Sequence, residues 1–286
     1  MSLSNLHGRV LEYIVVMGFE RVLGDKITLS KKTIEDNERD KQKLKEISQE
    51  KLTHFKTSSV KIVNWILNET GTFNSKLLIE RLSDEDGRKG DVTDIRFNYD
   101  NKTLNISLKN NHLATKHQRP GPTPKHIGLD NLDEVSINFR ETYKKINYEF
   151  YNFVKSINQN YTKYNEVEEY KFDNLYDPIC NLVCELLNKN KHKSHEYLTF
   201  LIGNVNFKKI VLFDSSIEIS SFDEIPETYE MNCWVENKNY VIIDFNDDVR
   251  LSMRLHTASS RLSETGSLKF DTHIQKMDVV KEVIVL

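Results

Sequence analysis

Between Asp94 and Lys109 the chain reads "DIRFNYDNKTLNISLK". Apolar and polar residues alternate on both sides of "YDNK", which is the pattern of two half-buried strands joined by a tight turn. This hairpin constrains the fold most. Asp94 opens its first strand and Lys109 closes its second, so pairing brings the two to the same end. Side chains alternate along a strand, so Ser107 and Lys109 share one face while Leu108 points to the other. Asp91 precedes Asp94 by three positions.

The flanking segments read as a mixed α/β chain. Residues 8–23 have helical apolar spacing that includes Glu12 and Glu20. Residues 35–57, dense in charge of both signs, read as an exposed helix. "SSVKIVNWILNETG" offers serine caps, an apolar face and Gly71 as a stop. "SKLLIERLS" predicts a strand and "DEDGRKG" a turn-rich link. "RPGPTP" punctuates a loop, and 131–158 is helical and rich in aromatics. Asp177 and Pro178 mark a helix start in "DPICNLVCELLN", and "SHEYLTFLI" continues the helical region. From 208 onward strand patterns dominate. The expected organisation is an α/β core with N-terminal helices over 1–125, a helical region over 126–206 and a β-rich, DNA-reading region over 207–286. A single continuous domain is the alternative.

Composition excludes several classes. The 286 residues contain no apolar run of the roughly 18 residues a membrane helix needs, and "MSLSNLHGRV" lacks the blocks of a signal peptide. Three cysteines, Cys180, Cys184 and Cys233, argue against a disulfide framework and suit a reducing cytoplasm. Cys180 and Cys184 read as a buried helix face rather than a zinc pair. The formal net charge of −3 offers no global attraction to nucleic acid. Local basicity exists at 108–126, where Lys109, Lys116, Arg119 and Lys125 stand among three histidines with no acid.

An acid and a lysine at one end of a hairpin suit phosphodiester hydrolysis. A carboxylate-held divalent metal neutralises phosphate charge and acidifies water, while the lysine orients that water and screens developing charge. By itself the pattern is short and recurs by chance in α/β proteins.

Four stretches add to it: "GRVLEY" (8–13), "GDVTDI" (90–95), "ISLKNNHLATKHQR" (106–119) and "RLHTASSRLSETGSLKFD" (254–271). Together, and in this order, they resemble the HaeIII-type restriction endonucleases of the PD-(D/E)xK nuclease superfamily. The resemblance implies a restriction-endonuclease-like α/β fold, with a mixed central sheet flanked by helices and a β-rich C-terminal region. It also implies a homodimeric, Mg2+-dependent cutter of short palindromic double-stranded DNA, and a cognate methyltransferase that protects the host. The namesake's site is GGCC.

Position by position, Asp94 resembles the metal-holding aspartate and Lys109 the catalytic lysine. Asp91 shares the family-like string and stays open as the ligand. Glu12 resembles the helix-borne glutamate that many such nucleases place beside the metal. Ser107 stands where the superfamily has a second acid, so Glu12, then Asp91, then Glu80 are the candidates to compensate. "PGPTPKHIGLDNLDEV" departs from the namesake and leaves the target sequence open.

The DNA-contact candidates are Asn110, Asn111, His112, Lys116, His117 and Arg119 after the hairpin, with Arg254, His256, Ser259, Ser260, Arg261 and Lys269 near the C-terminus. Arginine can read guanine in bidentate fashion, and a strand ribbon fits the major groove. Each has a plainer reading as a capping, loop or paired residue. Two other functions remain open: a ββα-metal nuclease using His112, whose usual partner spacing is missing, and a DNA-binding protein that kept the fold without the chemistry.

Overall fold

Asp100 (φ 45°) and Asn101 (φ 62°) both take left-handed backbone at the hairpin tip. A two-residue hairpin loop requires this, and Asp and Asn tolerate it better than most residues. The turn joins β3 (Ile95–Tyr99) to β4 (Lys102–Asn110), with Ile95 opposite Ile106 and Tyr99 opposite Lys102. The computed structural model describes residues 3–83 and 91–286; the link expected at 84–90 lies outside them.

The chain divides into two compact units. The first comprises residues up to 113, 204–225 and 279–286; the second comprises 114–203 and 226–278. In the first, the hairpin sits inside a seven-stranded mixed sheet of order β1-β2-β3-β4-β6-β7-β12. Its other strands are β1 (Ile27–Leu29), β2 (Leu77–Arg81), β6 (Phe207–Leu212), β7 (Ser216–Phe222) and β12 (Val280–Val285). The β1–β2 and β4–β6 pairs are parallel and the remaining neighbours antiparallel.

Helices α1 (Leu3–Leu23), α2 (Lys31–Lys41) and α3 (Gln49–Thr70) belong to this unit. Leu11 and Phe19 of α1, Phe55 and Ile66 of α3, and the inward residues Ile79, Phe97, Ile106 and Ile210 share one buried core. This is the mixed α/β architecture the sequence predicts.

Local details depart from expectation. The exposed helix read at 35–57 is broken: α2 ends at Lys41, a 3-10 turn spans Gln42–Glu46, and Ser48 begins α3 by accepting a bond from Lys51 N. The charge pattern misled because Asp40 and Lys43 face inward and are buried. Ser58 and Ser59, read as caps, are buried in the middle of α3, whereas Gly71 (φ 63°) ends that helix as predicted.

The second unit carries a five-stranded antiparallel sheet of order β5-β11-β10-β9-β8. Its strands are β5 (Lys116–Gln118), β8 (Met231–Glu236), β9 (Tyr240–Phe245), β10 (Val249–Thr257) and β11 (Leu268–Lys276). Its helices are α4 (Thr123–His126), α5 (Glu134–Ile157), α6 (Glu168–Lys171), α7 (Asp177–Lys189) and α8 (Ser194–Ile202). The strand-rich stretch after 206 is thus shared between the two sheets.

Asp177 does not cap a new helix. The backbone runs on from α6 through a π-helical turn at Phe172–Tyr176 into α7. Pro178 lacks the N–H that would bond back to Asn174, and the chain widens there instead of stopping. Cys180 and Cys184 are buried thiols on α7, and the Cys184 sulfur lies 2.8 Å from that of Cys233 on β8. Among the described residues no helix is long and apolar enough to cross a membrane.

Candidate active site

Asp94 is fixed from both sides by backbone. Its N–H donates to Ile106 O (2.8 Å) and its carbonyl accepts from Leu82 N (3.0 Å). The hairpin register then sets Ser107 across from it. Three donors reach one carboxylate oxygen, Asp94 Oδ2: Leu108 N at 2.6 Å, Lys109 Nζ at 3.0 Å and Ser107 Oγ at 3.2 Å. Leu108 turns its side chain into the core as alternation requires. Ser107 is therefore a donor to Asp94.

Glu12 reaches the same neighbourhood from α1. Burial is the main force pushing its carboxyl up; Arg81 opposes this, and the nearby charge of Asp94 adds to the upward push. Arg81, at the end of β2, occupies the inward position after Leu77 and Ile79. Its Nη2 donates to Glu12 Oε2 (2.7 Å) and Asp40 Oδ2 (2.9 Å), and its Nη1 donates to Asn37 Oδ1 (3.1 Å). Asp40 is fully buried and also accepts from Arg39 and Lys43. Burial would raise its carboxyl, yet the bonds from Arg39, Lys43 and Arg81 outweigh that and hold it well below the usual carboxylate range.

The other acidic candidates are already engaged. Asp91 accepts from Thr93 N (3.0 Å) on one oxygen and pairs with Arg96 Nη2 (2.5 Å) on the other. Glu80 accepts from Asn98 Nδ2 (2.8 Å). Sequence reading missed Lys209, which sits beside Ser107 in the β4–β6 register and donates to the Leu113 carbonyl. Burial, with Lys109 nearby, lowers its ammonium pKa to about 8.

The DNA-contact candidates separate. Asn110 ends β4, and Asn111 (φ 50°) donates to Asp214 Oδ1 at 3.4 Å. His112 follows in the same unit. In the second unit Lys116 turns inward. It donates to Phe200 O (2.7 Å) and lies over that ring, and burial lowers its pKa to about 8. Arg119, Ser259, Ser260 and Arg261 are exposed.

Four candidates converge on one residue the sequence did not single out, Asp271 of β11. His117 Nδ1 lies 2.5 Å from its Oδ1 and His256 Nε2 lies 2.8 Å from its Oδ2. Arg254 and Lys269 stand at 3.7 Å. Burial works to raise this carboxyl, but His117 and His256 outweigh it and hold it far below the usual range.

Glu12 and Asp94 are carboxylates near enough for their like charges to repel, they stand beside Lys109, and they offer the oxygen ligand atoms a hard divalent cation takes. A mixed α/β core whose central hairpin brings Asp94 and Lys109 together, with Glu12 reaching them from α1, has the restriction-endonuclease-like fold, the class of phosphodiester-cutting nucleases. The model of one family, the HaeIII restriction endonuclease, matches residues 8–225, and the chain belongs to that family of type II site-specific deoxyribonucleases. The match ends before "RLHTASSRLSETGSLKFD". No curated protein and no solved structure matches.

Proposed function

We propose that the chain makes Mg2+-dependent double-strand cuts at a short palindromic DNA site, GGCC or a related sequence. It acts as a homodimer in the cytoplasm, and a cognate methyltransferase shields host DNA. The observation that carries this reading is the convergence of Leu108 N, Ser107 Oγ and Lys109 Nζ on Asp94, with Glu12 alongside.

Asp94 and Glu12 would hold the magnesium, which when bound supplies phosphate charge neutralisation and an acidified water. The rest is the chain's own work. Leu108 N and Ser107 hold Asp94 at a fixed angle, and Lys109, tethered to the same carboxylate, orients the attacking water and screens charge on the phosphate. Asp91 stays a reserve ligand, since recruiting it would break its pair with Arg96. The exposed aromatic residues of α5, Tyr148 and Phe153, provide a surface for the two-fold contact that a palindrome demands.

Incubation of plasmid with MgCl2, against an EDTA control, tests this. Discrete fragments are expected, and sequencing their ends reads the site and cut position. Asp94→Ala should abolish cleavage while leaving duplex binding equal or tighter, because a charge that repels phosphate has gone. Cleavage by Asp94→Ala at the wild-type rate would overturn the metal assignment. Ser107 in the acid position favours a second reading, a DNA-binding protein without chemistry. A shifted but uncut plasmid would select it.

A further inference from the structure

The five-stranded sheet has two unlike faces near its β5 edge. Met253 and Leu255 of β10, Phe270 and Thr272 of β11, and Gln118 of β5 point into the buried side. The intervening residues, Arg254 and His256, Lys269 and Asp271, and His117, point the other way. Strand register makes them a block: Asp271 lies opposite Arg254 on one neighbour and His117 on the other, and Lys269 lies opposite His256. Their exposure is graded. Side chains of Arg254 and His117 are 48% and 45% exposed, while Asp271 retains 9%. A buried anion thus sits beneath cationic and imidazole heads that reach solvent.

Attraction to the phosphate backbone alone would not favour this arrangement. Backbone binding scales with local positive charge, and an acid at the centre subtracts from it. Phosphate contacts set position without reading sequence, whereas base edges are read by donors aimed in fixed directions. A carboxylate that engages His117 on one oxygen and His256 on the other limits where the neighbouring heads can point.

We propose, building on the nuclease reading above, that Asp271 is a positioning residue for base recognition. It holds Arg254, His256, Lys269 and His117 in the directions needed to contact purine edges, guanine above all, in the major groove of duplex DNA. Asp271 touches no base itself. Specificity therefore depends on an acid whose removal makes the face more positive.

That opposition of signs supplies the test. The full chain and its Asp271→Asn variant are titrated in EDTA against two short fluorescent duplexes. One carries the sequence read from wild-type plasmid ends, and the other is its scrambled counterpart. Asp271→Asn should bind the scrambled duplex equally or more tightly, bind the cognate duplex more weakly, and lower the cognate-to-scrambled ratio at least tenfold. End sequencing of its Mg2+ digests should show relaxed cutting. An unchanged ratio, or equal weakening on both duplexes with the circular dichroism spectrum intact, would overturn the proposal and leave Asp271 a backbone-binding or purely structural residue.

If Asp271→Asn does not fold, Arg254→Lys carries the test, since it keeps the charge and removes the planar fork. A lowered ratio with unchanged scrambled binding supports the proposal, and an unchanged ratio overturns it. A wild-type chain that yields no discrete fragments would instead bring down the nuclease reading, a distinguishable failure.

Discussion

Arg81→Met replaces a guanidinium that is 2% exposed with an apolar chain of similar reach. Removing one partner of a buried charge network costs about 3–5 kcal/mol, because the charges left behind lose their compensation. Two features locate this case at the lower end. Asp40 keeps Arg39 at 2.8 Å and Lys43 at 2.7 Å, so it stays paired. Glu12 can shed its charge by taking a proton, a change its burial and the nearby Asp94 already favour.

The expected loss is about 3 kcal/mol, which at a urea dependence of about 2 kcal/mol per M lowers the unfolding midpoint by about 1.5 M. Equilibrium urea unfolding of wild type, Arg81→Met, Glu12→Gln and the double variant measures the loss and its partition. Because Glu12 and Arg81 are in contact, the double variant should be less destabilised than the sum of the singles by about 1 kcal/mol or more. A loss below about 1 kcal/mol for Arg81→Met, or additivity of the pair, would refute the claim that this arginine ties α1 and α2 to the end of β2.

Two further outcomes test the second unit. His126 stacks on Phe200 (centroids 3.9 Å apart), and burial, aided by Lys116 and Lys125, lowers its pKa to about 3. Its folded form stays neutral while the unfolded ring titrates near 6.5, so this contribution is complete above that pH and is lost as pH falls towards 3. At pH 5 wild type should lose up to about 2 kcal/mol more, relative to pH 8, than His126→Phe does; equal losses in urea melts would contradict the burial argument. Gly266 has φ 66°, and a Cβ there would meet Asn147 Oδ1 at 1.8 Å, so Gly266→Ala should cost about 2–4 kcal/mol through strain and overpacking. A thermal melt matching wild type would show that the turn yields freely.

The hairpin is legible in the sequence because its information is local. A period of two, a turn of Asp and Asn, and an acid and lysine at matching ends together imply the pairing that brings Asp94, Ser107 and Lys109 into contact. The apolar spacing of α1 was legible for the same reason. Glu12 could be nominated by resemblance, but its approach to the hairpin depends on helix packing. The inward position of Arg81 after Leu77 and Ile79 was a readable signal, since alternation placed a charge where a core residue belonged.

Other features lay beyond reach because they join residues far apart in sequence whose types give no hint of their partners. Asp40 and Lys43 look like solvated helix charges until Arg81 arrives from β2. Lys116 looks like a phosphate contact until Phe200 covers it, and Asp271 is one acid among 43 acidic residues until three strands gather around it. Periodicity states which side of an element is apolar; it cannot state which charges meet there. That choice was made only when the strands paired and desolvation obliged each buried charge to have a partner.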